Sequence, residues 1–532
     1  MWYQFILENL HFAINLLASL IFFAVAWLYL DAWLGRKTFK EFLRWLGFLL
    51  LSLSFLISAV SVETSIIKYS TFSTSLITML LIATKIPGYI LIIYSLILDP
   101  LQPKPDLTKK LGMILAIPET FKFSIIIVLS FFYPILAALV GLLYLRRATV
   151  GLENHLKPVA WGFFILSISE FLSLFSVLVK TSNVDLYNLV APFGLIWIAA
   201  CLLTLVAILV MRGWIFSYLL KRLQSQLFMI FTATIVVIFV LITISFTFLL
   251  LKNLQDEALS RLQTDVKVLN FAVDSKKAES LSDAQVLAQN SDVISLVEAK
   301  TRPKLNDLTQ SFLLTKKQSF LVITSETGQV LARGEDRERI GDSLSDDPLI
   351  KRALLGQSAA SIITKDGVLA PQIYVASATP ITQNGAVIGA VMIGTVMDNA
   401  FVDGVKNATG LEASLYSDNI ISATTLLSSD AKTRAIGIKE EDKNVRNDVL
   451  IKGRSYVGGL SILNVSYFVA DLPIKDVDNS IVGMFSVGRE QSSLLLAAGH
   501  SIELTFLVSV ILLILSIIPA FLISKNITKQ LK

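Results

Sequence analysis

The sequence predicts a multi-span α-helical membrane protein carrying an α+β domain built from two tandem antiparallel sheet modules. Three observations predict it. Of the 532 residues, 54% are hydrophobic and only 16% are charged, against roughly a quarter charged in soluble domains, so much of the chain belongs in lipid. The excess is uneven: long apolar runs fill the first half and the extreme C-terminus, while Lys252 to His500 reads as ordinary soluble sequence. Within that stretch "YVASATPITQNGAVIGAVMIG" from Tyr374 returns as "YFVADLPIKDVDNSIVGMFSVG" from Tyr467. Each has a Tyr, a Pro six positions on, a polar turn and an apolar run closed by glycine.

A bilayer core needs about 20 mainly apolar helical residues. Windows of that kind lie near 5–30, 42–62, 75–98, 122–145, 158–180, 189–211, 227–251 and 503–524. The first has neither a basic leader nor a small-residue cleavage site, so it reads as a retained span. Arg146, Arg147 and Lys157 mark one cytoplasmic loop, and Arg212, Lys221 and Arg222 a second. The seventh span then leaves the cytoplasm, 252–500 emerges outside, and the eighth returns to a basic tail, "SKNITKQLK". With the N-terminus inside and all eight windows spanning, the loop with Arg36, Lys37, Lys40 and Arg44 would lie outside, against the same rule. Either that loop is an exception or one of the first three windows does not span fully. Two ionisable residues, Lys85 and Glu170, fall inside spans. Charge in lipid is costly and usually paired or functional, which leaves a structural ion pair or a polar pocket open.

Beyond the seventh span, Leu251, Leu254, Ala258, Leu262, Val266, Leu269 and Val273 recur every three or four positions, the stripe of one long helix. Past Phe320 the period becomes two. "FLVITSETGQVLARG" reads as a hairpin turning at Thr327-Gly328. In "SDDPLIKRALLG", Asp347 caps a short helix, Pro348 suits its first turn and Gly356 ends it. Strands follow around 359–363, 373–381 and 386–394, the last two joined by Asn384-Gly385. The order then repeats: a hairpin turning at Asp418-Asn419, a helical piece near 445–451, and strands around 455–460, 466–472 and 481–487. Two five-stranded sheets, each with a face covered by helices, fit this order.

A span running into a long helix, two such sheets and a returning span resembles the double Cache (tandem PAS-like) extracytoplasmic sensors of prokaryotic histidine kinases and chemoreceptors. "RAIG" at Arg434, "GRSYVG" at Gly453, the segment from Tyr467 and "IGDSLSDDPLIKRALLG" carry the resemblance. One departure is Asn479-Ser480, where a Gly is expected in the final turn. The tail "ISKNITKQLK" is similar to the opening of a HAMP linker. The division this implies is 1–226, a six-span region; 227–251, a span; 252–319, a helical stalk; 320–409 and 410–500, the membrane-distal and membrane-proximal modules; 501–524, a span; and 525–532, the start of the linker.

Catalysis finds no support. The only histidines are His11, His155 and His500, none followed by the acidic residue of a phospho-accepting site, and no phosphate-cradling loop appears. Cys201 stands alone, excluding an internal disulfide or a cysteine zinc cluster. The net charge of +5 lies largely beside apolar runs, a membrane-topology pattern and not a nucleic-acid one. No metal or cofactor is expected, and the chain as given is not an enzyme. The resemblance implies a receptor in the cell membrane. It would bind a small extracytoplasmic solute in a Cache module, work as a homodimer, and pass the signal through helices at 227–300 and 489–524 to a HAMP-linked output module in cis or on an associated chain. Candidate contacts are Arg333, Arg337, Asp342, Lys351 and Tyr374 in the first module, and Tyr456, Tyr467 and Asp471 in the second. Arg and Tyr at a pocket suit a carboxylate-bearing solute. The competing reading is a transport or membrane-pocket protein whose N-terminal spans do the work.

Overall fold

The computed structural model describes residues 2–62, 74–99, 129–178, 189–219, 223–428 and 432–530. The chain divides into two compact units, 1–252 with 494–532, and 253–493. Among the described residues eight helices are long and apolar enough to cross a membrane. In chain order the helices are α1 (Trp2–Arg36), α2 (Phe39–Val60), α3 (Thr74–Ile97), α4 (Phe132–Val150), α5 (Lys157–Leu178), α6 (Leu195–Leu219), α7 (Leu223–Ala288), α8 (Ser291–Glu298), α9 (Arg302–Lys316), α10 (Pro348–Leu354), α11 (Asn399–Thr409) and α12 (Gln491–Gln530). Part of the window expected at 122–145, together with Lys221 and Arg222, lies outside the described residues.

In the first unit the helices bury a core that includes Phe22, Phe48, Tyr89, Phe163 and Phe228. The first parts of α7 and α12 meet α1 there. The Thr243 and Ser509 hydroxyls are 2.7 Å apart, the Thr247 hydroxyl donates to Asn9 Oδ1 at 2.9 Å, and Phe12 stacks on Phe506. At one end of the bundle Asp99, just past α3, accepts hydrogen bonds from Lys40 at 2.7 Å, Arg44 at 2.9 Å and Arg147 at 2.6 Å. Burial alone would raise the Asp99 carboxyl, but the bonds from Lys40, Arg147 and Arg44 together hold it well below the usual carboxylate range. This cluster corrects the strict alternation of spans. The start of α2, the end of α3 and the end of α4 share one end, so α3 and α4 run in the same direction. The basic loop at Arg36–Arg44 therefore lies beside Arg147, at the end where the positive charge gathers. The geometry decides the matter: one carboxylate binds three cations drawn from α2 and α4.

In the second unit the expected unbroken helix through 300 ends at Ala288. Asn290 breaks it: its side chain accepts from the Asp292 and Val293 amides and starts α8. Two five-stranded antiparallel sheets follow. The strands are β1 (Phe320–Ser325), β2 (Val330–Arg333), β3 (Ala359–Lys365), β4 (Gln372–Gln383) and β5 (Ala386–Val396), then β6 (Glu412–Ser417), β7 (Ile420–Thr424), β8 (Tyr456–Ile462), β9 (Val465–Lys475) and β10 (Ile481–Glu490). Their orders are β2-β1-β5-β4-β3 and β7-β6-β10-β9-β8, the same order written twice. Local chemistry sets the turns. Asn384 and Gly385 both take positive φ, 50° and 83°, the pair a two-residue hairpin needs. Asp347 accepts from the Leu349 and Ile350 amides to start α10. Asn479, at φ 63°, supplies the left-handed residue expected of a Gly, so the final turn closes normally.

Candidate functional site

Each sheet has two covered faces. In the first module α8 and α9 pack on Leu321, Ile323, Val391 and Ile393. On the opposite face α10 covers an apolar floor of Phe320, Val322, Ala376, Ala378, Ala390 and Met392. Pairing across the sheet sets one row of this second face: Arg333, Val322, Met392, Ala378 and Ala359.

Arg333 is the charged member of that row and is only 9% exposed. Its Nη2 donates to Asp342 Oδ2 at 2.6 Å, and Glu335 stands 3.8 Å from Nη1. Arg333 Nε and Asp342 Oδ1 are buried without a partner, so the pair keeps one spare donor and one spare acceptor. Lys365, at the end of β3, holds Nζ 3.3 Å from the centre of the Phe320 ring and 5.1 Å from that of Tyr374. Desolvation over those rings lowers its ammonium below the usual lysine range, Glu335 opposing and Arg333 reinforcing the shift. Thus Arg333, Asp342 and Tyr374 share one face. Arg337 does not join them: it pairs with Asp307 at 2.9 Å and with Gln310 on α9. Lys351 sits on the exposed side of α10. Lys365 was missed in the sequence, although it lies two positions after Ile363 and therefore on the same face of β3, where it is exposed.

The second module fills the equivalent row differently: Thr424, Ser414, Ser486, Asp471 and Tyr456 run across all five strands. On this face Val445 and Val449 pack over Tyr416, Val469 and Met484 of the sheet. They come from a helical turn, Lys443–Val445, that continues as a π-helix, Arg446–Ile451. Asp471 is 1% exposed; Ser486 hydrogen-bonds its carboxyl, and its Oδ2 has no partner. Burial pushes this carboxyl up to about 7 against the Ser486 bond, with Glu440 and Asp442 adding to the rise. Tyr456 and Tyr467 lie on the same face, Tyr467 at the place Tyr374 takes in the first module.

A polar latch joins the two modules beside α10, and they also touch where β4 runs past β6 and β7. On α10, Arg352 Nη2 donates to Asp478 Oδ1 at 2.6 Å and to the Val477 carbonyl at 3.2 Å. The Val477 amide donates to Ser361 Oγ at 2.8 Å, and Val477 packs into the core beneath α10. In the first unit, Lys85 Nζ donates to Glu170 Oε1 at 2.6 Å, with both side chains about one-tenth exposed. Among the described residues no three His, Cys, Asp or Glu side chains are gathered as a metal ion requires.

Residues 272–403 match a family model described as single Cache domain 3, and residues 395–499 match a second model of that description. The tandem Cache reading of the insert is thereby borne out, one module at a time. No curated protein matches the chain. Among solved structures it is similar to the periplasmic domain of Vibrio cholerae LuxQ, with 13% identity, 43% of this chain and 99% of that chain covered, and a TM-score of 0.32. It is similar as well to the E. coli DcuS sensor domain, with 22% identity, 26% and 98% covered, and a TM-score of 0.22. The sensory domain of the Campylobacter jejuni chemoreceptor Tlp3 gives 12% identity, 46% and 98% covered, and a TM-score of 0.31. Values this low leave the assignment resting on the family models.

Proposed function

We propose that the chain is a transmembrane sensory receptor whose first Cache module binds a small carboxylate-bearing solute outside the cell. The observation that carries this reading is Arg333, a buried guanidinium with a spare donor beside an apolar floor. A carboxylate there gains charge-assisted bonds that water no longer competes for. Lys365 adds a second cation, and Tyr374 and Phe320 give the solute's apolar part a wall. The Asp99 cluster supports the orientation. With Lys40, Arg44 and Arg147 at one end of the bundle, the positive-inside rule makes that end cytoplasmic and the insert external.

Binding beneath α10 favours whichever position of that helix suits the solute. Arg352 and Val477 tie α10 to the β9–β10 turn, and β10 runs straight into α12. The bias then reaches a HAMP-type linker at 525–532 and an output module in cis or on an associated chain, with two copies acting together. Lys85 and Glu170 are spent on each other, which favours a structural role over a transport pocket.

The test is thermal unfolding of the purified chain with a panel of small mono- and dicarboxylates. One of them raises the transition by mass action, and Arg333→Ala removes that rise while Arg337→Ala keeps it. A panel without any shift, or a shift that survives Arg333→Ala, overturns the proposal.

A further inference from the structure

The buried acid of the second module has no counterpart in the first. At the register position of Asp471 the first sheet has Ala378, so the fold does not need a carboxyl there. Burying one without a cation is costly, and here one oxygen is left bare. Its surroundings are acidic. Glu440, Asp442 and Asp448 stand close enough, with Asp471, to push the Tyr456 hydroxyl upward, though burial is the larger cause. Three of these acids have local duties: Asp442 caps the 443–451 turn, Glu440 Oε1 accepts from the Asp442 amide at 2.8 Å, and Asp448 pairs with Lys452 at 2.9 Å. Asp471 Oδ2 has none. Tyr416, Tyr456 and Tyr467 lie on the same face, and ring faces attract a cation. The cover is a π-helix, a widened turn that recurs where backbone is set aside for function.

We infer that this face of the second module is a separate binding site for the protonated amine of a small solute, with Asp471 as its counter-ion and Tyr456 as an aromatic wall. Serine hydroxyls at 414 and 486 complete a polar floor, and the 443–451 turn opens to admit the guest. The site is independent of Arg333 and its carboxylate.

The experiment is calorimetric titration of the full chain in phosphatidylcholine nanodiscs with methylammonium, ethanolamine, putrescine and tetramethylammonium, at pH 8 and at pH 5.5. At least one probe binds saturably at pH 8 and about tenfold more weakly at pH 5.5, where the carboxyl carries its own proton. Asp471→Asn abolishes this binding without lowering the unfolding temperature, and Arg333→Ala leaves it intact. Tyr456→Leu keeps the acid and weakens binding about fivefold. No saturable heat from any of the four probes up to about 10 mM, or binding that survives both Asp471→Asn and Tyr456→Leu, overturns the inference. Loss of the carboxylate response in Arg333→Ala, with ammonium binding unchanged, separates the two sites.

Discussion

The two Cache modules share a strand order and a repeated Tyr-to-Gly cadence, yet they fill one equivalent row of their sheets in opposite ways. In the first, the central three strands give Val322, Met392 and Ala378, and the only charge is Arg333 on the edge strand β2. In the second they give Ser414, Ser486 and Asp471, the last fully buried at the centre. Conserving a fold constrains the turns and the outward rows. The row beneath the helical cover is where two copies of one architecture are free to differ in chemistry. A cation at the rim of an apolar floor suits an anion, and an acid on a polar floor suits a cation.

Another buried carboxyl, Glu170, sharpens the contrast because it has the partner that Asp471 lacks. Glu170→Gln and Lys85→Met each leave one ion bare in an apolar bundle, and each costs about 3–5 kcal/mol. The double change costs far less than the sum, since no unpaired charge remains. Unfolding of the four proteins in mixed micelles measures the cycle. Additive losses would mean that the 2.6 Å contact carries no coupling.

Asp471 should behave with the opposite sign. Its folded carboxyl titrates near 7 instead of the ordinary 3.8, so the folded state holds the proton more tightly than the unfolded chain does. The associated stability is fully present in acid and is lost as pH rises from about 4 through 7. The transition of the second unit is therefore weaker at pH 8.5 than at pH 5, by on the order of 3 kcal/mol. Asp471→Asn abolishes that slope, with a gain at pH 8.5 and none at pH 5. A slope that persists in Asp471→Asn would assign it to neighbours, of which Glu440 and Asp442 are the acids acting on Asp471.

Signals confined to a few adjacent residues were legible in the sequence. Asn384-Gly385, the Asp347 cap and the alternation of the ten strands are local, so each segment announces its own geometry. Three features depended on residues far apart in the chain. Asp99 gathers Lys40, Arg44 and Arg147 from 59, 55 and 48 positions away, and only that meeting shows α3 and α4 to be parallel. Lys365 matters because β3 and β1 bring it over Phe320. The polar row of the second module draws one residue from each of five strands, and although Asp471 and Tyr456 stood out singly, Thr424, Ser414 and Ser486 did not. Of the candidate contacts, Arg337 meets Asp307 and Gln310 on α9, partners that were invisible until that helix had a place.

The smallest stability effect tests the largest functional claim. Arg352 and Asp478 are both well exposed, 37% and 52%, and exposed ion pairs contribute little, so Arg352→Ala costs about 1 kcal/mol or less. Its consequence should appear in coupling. In the native chain, a solute bound beneath α10 changes amide exchange both there and along 476–490, because the turn is held by Arg352 from above and by Ser361 through the Val477 amide. In Arg352→Ala the solute still binds, with affinity within about threefold of the native value. The exchange response, however, stops at the first module. A response that reaches 476–490 unchanged without Arg352 would mean that the two sheets communicate by another route, and that the latch only fixes where they rest.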